Sequence, residues 1–392
     1  MLDELPPPLR APRYSPLMRN ARSPLFLWLL VVFLFGVGLR FWMVMSRPDT
    51  PDKAMLGVER LVLVAEFGPD LAPETRSQLW EIALAADDSP ALGRLKVKEA
   101  LSAGESEKLT PGLSLLASYQ AQPDKAKESQ LRELAAQAQS RLLTSLAMLG
   151  GLLLTALGLA FLAPSQRPDG AVAKPMLVAA GPITVLIGFL AWDVLHTFVL
   201  STVIELTHVR DHMPLVAYLY ILQVTAYGLF LLLARGLGAR EWNFRRPFAA
   251  AWAGRGYFLC YALVLAVNLL IAGVTGTTPT SSNPLLEMFM GGAEVWALAL
   301  LVILVGPLFE ELIFRGWLLG GLREHWGDGK ALFVSSLLFA LIHGDPWATP
   351  ALFVLGCVFG GVYLRSGSLY ASLMLHAMWN ATTFTLLYSN IP

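Results

Sequence analysis

Five side chains in the C-terminal third of the chain carry groups that can catalyse hydrolysis. Glu310, Glu311, His343, His376 and Asn380 all lie in strongly apolar stretches of sequence. A charged side chain at the centre of a bilayer costs at least about 2.5 kcal/mol, so residues of this kind usually serve a function. Carboxylate and imidazole groups transfer protons, and a side-chain amide donates hydrogen bonds.

The two adjacent glutamates are predicted to have different surroundings. Glu311 and Arg315 are four residues apart, so on a helix they share one face and can form an ion pair. Glu310 then points about 100° away from that face. We therefore expect Glu310 to be available for chemistry, with Glu311 and Arg315 as supporting structure.

The polar positions are predicted to lie at a similar depth in the bilayer. Counted at about 1.5 Å per helical residue from the nearest basic loop, Glu310 and His343 each lie about 20 Å in, and His376 about 17 Å in. Asn380 follows His376 by four residues on the same helix face. Since buried ionisable groups escape lipid by lining a shared cavity, we expect three helices to bring these residues together.

The composition indicates a polytopic membrane protein. Of 392 residues, 55% are hydrophobic and 15% charged, and the mean hydropathy is +0.56. We predict an all-α transmembrane bundle of about eight or nine spans, with the lipid bilayer as its surroundings. The net charge of +0 gives no indication of a nucleic-acid partner. Cys260 and Cys357 lie far apart in apolar runs, so no disulfide framework is indicated.

The order of apolar and polar stretches predicts four regions. Residues 1–45 form a cytoplasmic N-terminus and an uncleaved signal-anchor span. Residues 46–141 form a small helical domain outside the membrane, with repeated Pro helix-start signals. Residues 142–250 contain membrane helices two to four and a basic cytoplasmic loop. Residues 251–392 contain the catalytic candidates.

Loop charges predict the orientation. Basic residues fall in alternate loops, which the positive-inside rule places in the cytoplasm. We therefore expect a multi-pass protein of the inner (plasma) membrane with a cytoplasmic N-terminus. Residues 46–141 then lie on the outer side.

Two further polar features receive structural interpretations. Arg40, near the far end of the first span, is expected to extend its side chain to the membrane interface. A polar cluster near the end of the third span is expected to be an outer-surface turn, although its two histidines four apart could bind a metal. The cluster comprises Asp193, His196, Glu205, His208, Arg210, Asp211 and His212.

Three short motifs resemble those of the CPBP intramembrane protease family. This family includes the type II CAAX prenyl endopeptidases and a myxosortase-like bacterial branch. The motifs are Glu310-Glu311-x-x-x-Arg315, Phe339-x-x-x-His343 and His376-x-x-x-Asn380. The resemblance covers roughly residues 250–390, and the first 140 residues lie outside it.

The resemblance implies a reaction and a role for each motif residue. Glu310 is the general base and His343 its partner in activating water, without a cofactor. His376 and Asn380 stabilise the oxyanion of the tetrahedral intermediate. The implied substrate is a membrane-anchored protein or peptide. Removal of a C-terminal tail is one form of that reaction.

Two other hypotheses remain open from the sequence. Glu310, His343 and His376 could instead hold a catalytic zinc ion, although the usual His-Glu-x-x-His spacing is absent. A non-catalytic membrane scaffold or proton-coupled transporter would also place carboxylates inside the membrane. A transporter commonly shows an internal repeat, and the sequence shows no convincing one.

Overall fold

The computed structural model describes most of the chain. The described residues are 24–45, 53–69, 71–87, 110–162, 181–200, 202, 206, 215–237, 250–275 and 294–389. Every regular element in these ranges is a helix, which confirms the predicted all-α bundle. The basic residues at 10–22, 167–174 and 240–246 and the pair His208 and His212 lie outside the described ranges.

Thirteen α-helices and three π-helical segments make up the described fold. They are α1 (Pro24–Met45), α2 (Lys53–Phe67), α3 (Pro73–Asp87), α4 (Pro111–Ala121), α5 (Lys125–Leu162), α6 (Pro182–Val194), π1 (Leu195–Leu200), α7 (Leu215–Gly236), α8 (Ala250–Thr275), α9 (Val295–Leu300), π2 (Leu301–Val305), α10 (Gly306–Glu311), π3 (Leu312–Leu319), α11 (Gly320–Leu341), α12 (Thr349–Ser366) and α13 (Leu369–Ser389).

Six described segments are long and apolar enough to cross a bilayer. They are Pro24–Met43, Lys125–Phe161, Ala217–Gly236, Ala250–Thr275, Val295–Leu341 and Thr349–Ser366. The 47-residue segment contains a break at Gly327, where φ is 75°. Exposed apolar side chains such as Leu154 (70%) and Phe161 (79%) suit a lipid-facing surface. The protein is therefore a multi-pass membrane protein.

Residues between the first and second spans form a helical unit with its own hydrophobic core. Helix α2 packs with α3, with α4 and with the polar first half of α5, and α4 also packs with α5. Val62, Leu113, Leu131 and Ala135 are 0% exposed at the centre of this unit. Amphipathic helices of this kind gain most of their stability from such packing.

The first span belongs to the membrane bundle that contains the motifs. Helix α1 packs along α6, and Phe33 meets Phe189 edge to face with ring centroids 6.0 Å apart. Phe189 in turn meets Phe314 of π3 at 5.7 Å. A continuous aromatic core therefore joins α1, outside the region of family resemblance, to the first motif.

The helix that carries Glu310 is α-helical for only six residues between two π-helical segments. Pro307 has no backbone N–H, so the carbonyl of Ile303 cannot bond to it in the regular α-helical pattern. The wider π turns at 301–305 and 312–319 flank this site, as π segments often do at functional positions.

A buried carboxyl group lies in the helical unit between the first and second spans. Glu59 of α2 is 1% exposed, and its Oε2 has no hydrogen-bond partner among the described residues. Burial raises the pKa of Glu59, and the Thr110 hydroxyl with the backbone N–H groups of Leu113 and Gly112 opposes the shift only in part. A raised folded-state pKa stabilises the fold below the ordinary glutamate pKa, and this contribution is lost as pH rises through the folded-state value.

We predict that Glu59→Gln raises the midpoint temperature of unfolding of the helical unit at residues 53–121 by a few °C or more at pH 7. The increase is smaller at pH 5. The measurement is temperature-dependent proteolysis within residues 53–121 of the full-length protein at the two pH values. Glu81→Gln, at an exposed carboxylate of α3, is the matched control. Equal effects of the two substitutions would contradict the assignment.

Candidate active site

Glu311 and Arg315 form an ion pair buried in the bundle. Nη1 of Arg315 lies 3.0 Å from Oε1 of Glu311, and the side chains are 1% and 2% exposed. Nη2 of Arg315 lies 3.3 Å from the Gly356 carbonyl oxygen, to which it donates. The guanidinium also lies 4.7 Å from the ring centre of Phe339 and 5.2 Å from that of Phe359. These contacts compensate a charge that would otherwise be costly to bury.

His376 lies between the two glutamates. Its Nδ1 is 3.0 Å from Oε1 of Glu311, and because a carboxylate only accepts, Nδ1–H is the donor. Its Nε2 is 3.6 Å from Oε2 of Glu310. The ring packs against Phe359 with centroids 4.6 Å apart. Helix α13 thereby connects a buried carboxylate to a more accessible one.

Glu310 is the carboxylate of this group that faces a cavity. Its side chain is 20% exposed, against 2% for Glu311. The cavity has a volume of about 400 Å³, within the range of small-ligand sites. Polar residues from earlier helices share its lining: Arg40, Asp193, His196, Thr197 and Gln223.

The structure places His343 at the rim of this arrangement. It follows the end of α11 and is exposed. Its Nδ1 lies 2.7 Å from the Phe339 carbonyl oxygen, so Nδ1–H donates and the neutral ring has Nε2 as its acceptor. Among the described residues no ion pair joins His343 to Glu310 or Glu311. The predicted contact between Glu310 and His343 is therefore not made directly.

Phe339 is the common neighbour of the motif residues. Its ring lies 4.9 Å from the His343 ring and 5.9 Å from the His376 ring, measured between centroids. It also meets Phe314 edge to face at 5.1 Å and supports the guanidinium of Arg315. The Phe-x-x-x-His spacing thus places the Phe339 ring one helical turn before His343, on the same face of the helix.

Asn380 binds the π-helical segment before Glu310. Its Nδ2 donates to the Val302 carbonyl oxygen at 2.9 Å. The same nitrogen carries a second N–H, which does not take part in this hydrogen bond. The third motif therefore contacts the first motif's helix at two levels, through His376 and through Asn380.

The three zinc-ligand candidates do not assemble into a metal site. Among the described residues, no group of three or more His, Cys, Asp or Glu side chains has the geometry to hold a metal ion. Both ring nitrogens of His376 face carboxylates, and His343 lies apart from them. The residues present do not fit the His₂Glu zinc set.

Sequence reasoning missed two residues that line the same cavity. Arg40 does not extend to the membrane interface: Nη1 donates to the Ile342 carbonyl oxygen at 2.9 Å, and Nη2 lies 3.4 Å from Asp193 Oδ1 and also donates to Thr197 Oγ1. Asp193 is 3% exposed and faces this cavity, so it is not part of an outer-surface turn. The sequence signal for both residues was a charged side chain within an apolar helix, which usually indicates a functional position.

Arg40 also contacts the turn that contains His343. Gly344 has φ of 67°, a left-handed conformation that favours glycine. An added Cβ at Gly344 would lie 2.7 Å from Arg40 Cβ and 2.9 Å from its Cδ. Because Arg40 bonds the carbonyl of Ile342 as well, it holds the chain on both sides of His343.

Comparisons with known proteins match part of the chain. Residues 292–382 match the family model described as Rce1-like, type II CAAX prenyl endopeptidase Rce1-like. Membrane-embedded CAAX protease MroQ of Staphylococcus aureus is 26% identical over 191 residues, covering 47% of this chain and 76% of the relative. Putative membrane peptidase YdiL of Bacillus subtilis is 25% identical over 147 residues, covering 36% and 57%. No solved structure matches significantly.

We predict that Gly344→Ala lowers peptidase activity about tenfold to a hundredfold, because it displaces Arg40 and the His343 turn from their present positions. Gly327→Ala is the control for alanine at a positive φ: its φ is 75°, and nothing lies within 4 Å of the added Cβ. Turnover of a membrane-anchored peptide by both variants is the measurement. Equal losses in the two variants would show that strain alone is responsible.

Proposed function

Because this chain is a CPBP-family protein, we propose that it is an intramembrane endopeptidase in which Glu310 activates water. The observation that carries the proposal is the division between two adjacent carboxylates. Glu311 is enclosed with Arg315, whereas Glu310 faces the cavity and lies 3.6 Å from His376. A hydrolytic base needs access to both water and substrate, and Glu310 has it.

In the proposed first step, Glu310 accepts a proton from water while the water oxygen attacks the carbonyl carbon of the scissile peptide. His343 contributes as the second group of the water-activating pair, through Nε2, since Nδ1–H is engaged by its own helix. No ion pair joins His343 to Glu310 in the described residues. His343 therefore acts on the attacking water, or it acts after the turn that contains it has rearranged.

The proposed oxyanion donors come from α13. In its protonated form His376 carries Nε2–H beside Glu310, and Asn380 retains an N–H beyond its bond to Val302. Each such donor is typically worth about 2.7–4 kcal/mol of barrier. When the intermediate collapses, the C–N bond breaks and the proton held by Glu310 passes to the departing amine.

For the substrate, we propose a membrane-anchored protein from which a C-terminal tail is removed, as in the myxosortase-like branch. The name of the relative MroQ describes it as a CAAX protease. The extramembrane unit at residues 53–121 lies between two spans, where it can contact a substrate before cleavage. We place the protein in the inner (plasma) membrane with a cytoplasmic N-terminus.

We predict that Glu310→Gln lowers cleavage of a membrane-anchored peptide by about 10²–10⁴-fold without loss of thermal stability. Glu311→Gln is the matched substitution one residue away. It leaves Arg315 without its carboxylate and destabilises the fold by about 3–5 kcal/mol. Cleavage and unfolding of both purified variants are the measurements. A Glu310→Gln variant that retains full activity would contradict the assignment of the base.

We also predict that metal removal leaves the reaction unchanged, because the described residues do not assemble a zinc site. Cleavage is measured after dialysis against a strong zinc chelator, alongside metal analysis of the purified protein. Loss of activity that added zinc restores would contradict glutamate catalysis without metal.

A further inference from the structure

The cavity beside Glu310 has a wall that the family region does not supply. Residues 292–382 contribute Glu310, Phe314 and Ile342. The opposite wall comes from α1, from the end of α6 with π1, and from α7. The substrate side of this site is therefore shaped by helices that precede the matched domain.

Arg40, which lines the cavity with Glu310, lies near the end of α1 from which the chain continues to the helical unit at residues 53–121. Helix α1 runs towards that unit, and Arg40 lies within its last two turns. Thr197 is in π1, after the whole length of α6, and Ile342 follows the end of α11. Glu310 is about 22 Å along its helix from Val295. Arg40 is about 8 Å along α1 from Met45, so it lies nearer to that end of its helix than Glu310 does to Val295.

The polar groups at the Arg40 end of the cavity carry almost no net charge. Arg40 and Asp193 are paired at 3.4 Å, so their charges offset each other. A free substrate carboxylate would meet the two carboxylates of Asp193 and Glu310 against one guanidinium. The charge balance therefore favours an uncharged peptide segment over a chain terminus.

Arg40 retains capacity to bind such a segment. Its side chain is 19% exposed and lines the cavity. A guanidinium has N–H donors beyond those that Ile342, Asp193 and Thr197 accept, and it cannot lose its charge in a protein. Its bonds on three sides fix its direction, which lowers the entropy cost of binding a ligand.

Apolar and aromatic groups line the space between Arg40 and Glu310. Tyr227 stacks on Phe309 with centroids 4.2 Å apart, and Gln223 donates from Nε2 to the Tyr227 hydroxyl at 2.7 Å. Trp192 is 3% exposed, and its Nε1–H donates to the Ala226 carbonyl at 2.9 Å. Rigid aromatic walls with a few fixed polar groups suit a segment with apolar side chains and a polar backbone.

We propose that this space is a substrate subsite for an extended, uncharged peptide segment, in which Arg40 donates to a main-chain carbonyl near the scissile bond. The proposal rests on the proposed peptidase function. It assigns substrate recognition to the first span and to α7, and it makes Arg40 a specificity-determining residue.

Site-specific photocrosslinking tests the subsite independently of turnover. A diazirine amino acid replaces Leu222, which lines the cavity on α7, in a Glu310→Gln background. The control replaces Leu232, which is on the same helix and 72% exposed. A membrane-anchored peptide that the wild-type protein cleaves is the probe. We expect at least fivefold more peptide crosslinking at position 222 than at position 232.

The other outcomes of this experiment are separable. Equal crosslinking at the two positions, or crosslinking of lipid only at position 222, overturns the subsite if the wild-type protein cleaves the same peptide. If the wild-type protein cleaves no member of a peptide panel, the proposed function fails, and the subsite for its substrate fails with it.

Substitution of Arg40 supplies a kinetic test. We expect Arg40→Lys, which keeps the charge but loses the planar donor set, to raise KM about tenfold, in addition to any fall in kcat that follows from loosening the His343 turn. Arg235→Met, at the exposed end of α7, is the control and should leave both unchanged. A fall in kcat at constant KM would overturn the assignment to substrate binding.

Discussion

The ion pair between Glu311 and Arg315 is the interaction on which the membrane site depends. Both groups are almost fully buried, and a lone charge at that position would be strongly destabilising. The partners that stabilise these two buried charges are the Gly356 carbonyl, the Phe339 and Phe359 rings and His376. Because these partners belong to α11, α12 and α13, one buried pair fixes how three helices meet the helix of the first motif.

This constraint separates the two neighbouring glutamates. With Glu311 held towards Arg315, helical geometry turns Glu310 towards the cavity, and His376 spans the two. The other end of the cavity has a comparable arrangement, in which Arg40 pairs with Asp193 and holds the turn around His343. The two ion pairs thus position the proposed base from one side and the proposed substrate contacts from the other.

Composition and periodicity were sufficient for the helical class and for the pairing of residues four apart on one helix. The depth count brought Glu310 and His376 together correctly, but it ignores rotation about the helix axis. It therefore did not reveal that His343 lies beyond a helix end, with Nδ1 bonded to its own helix. The partnership of Arg40 with Asp193 spans 153 residues, and no local pattern encodes it. The π segments depend on tertiary contacts as well as on Pro307.

A single turnover in oxygen-18 water tests most directly whether Glu310 acts on water or attacks the substrate itself. If it acts as a general base, the new product carboxylate contains one labelled oxygen, and the peptide containing Glu310 contains none after digestion and mass spectrometry. Label in the side chain of Glu310 would instead show that it attacks the substrate and forms an acyl intermediate, which would contradict the account.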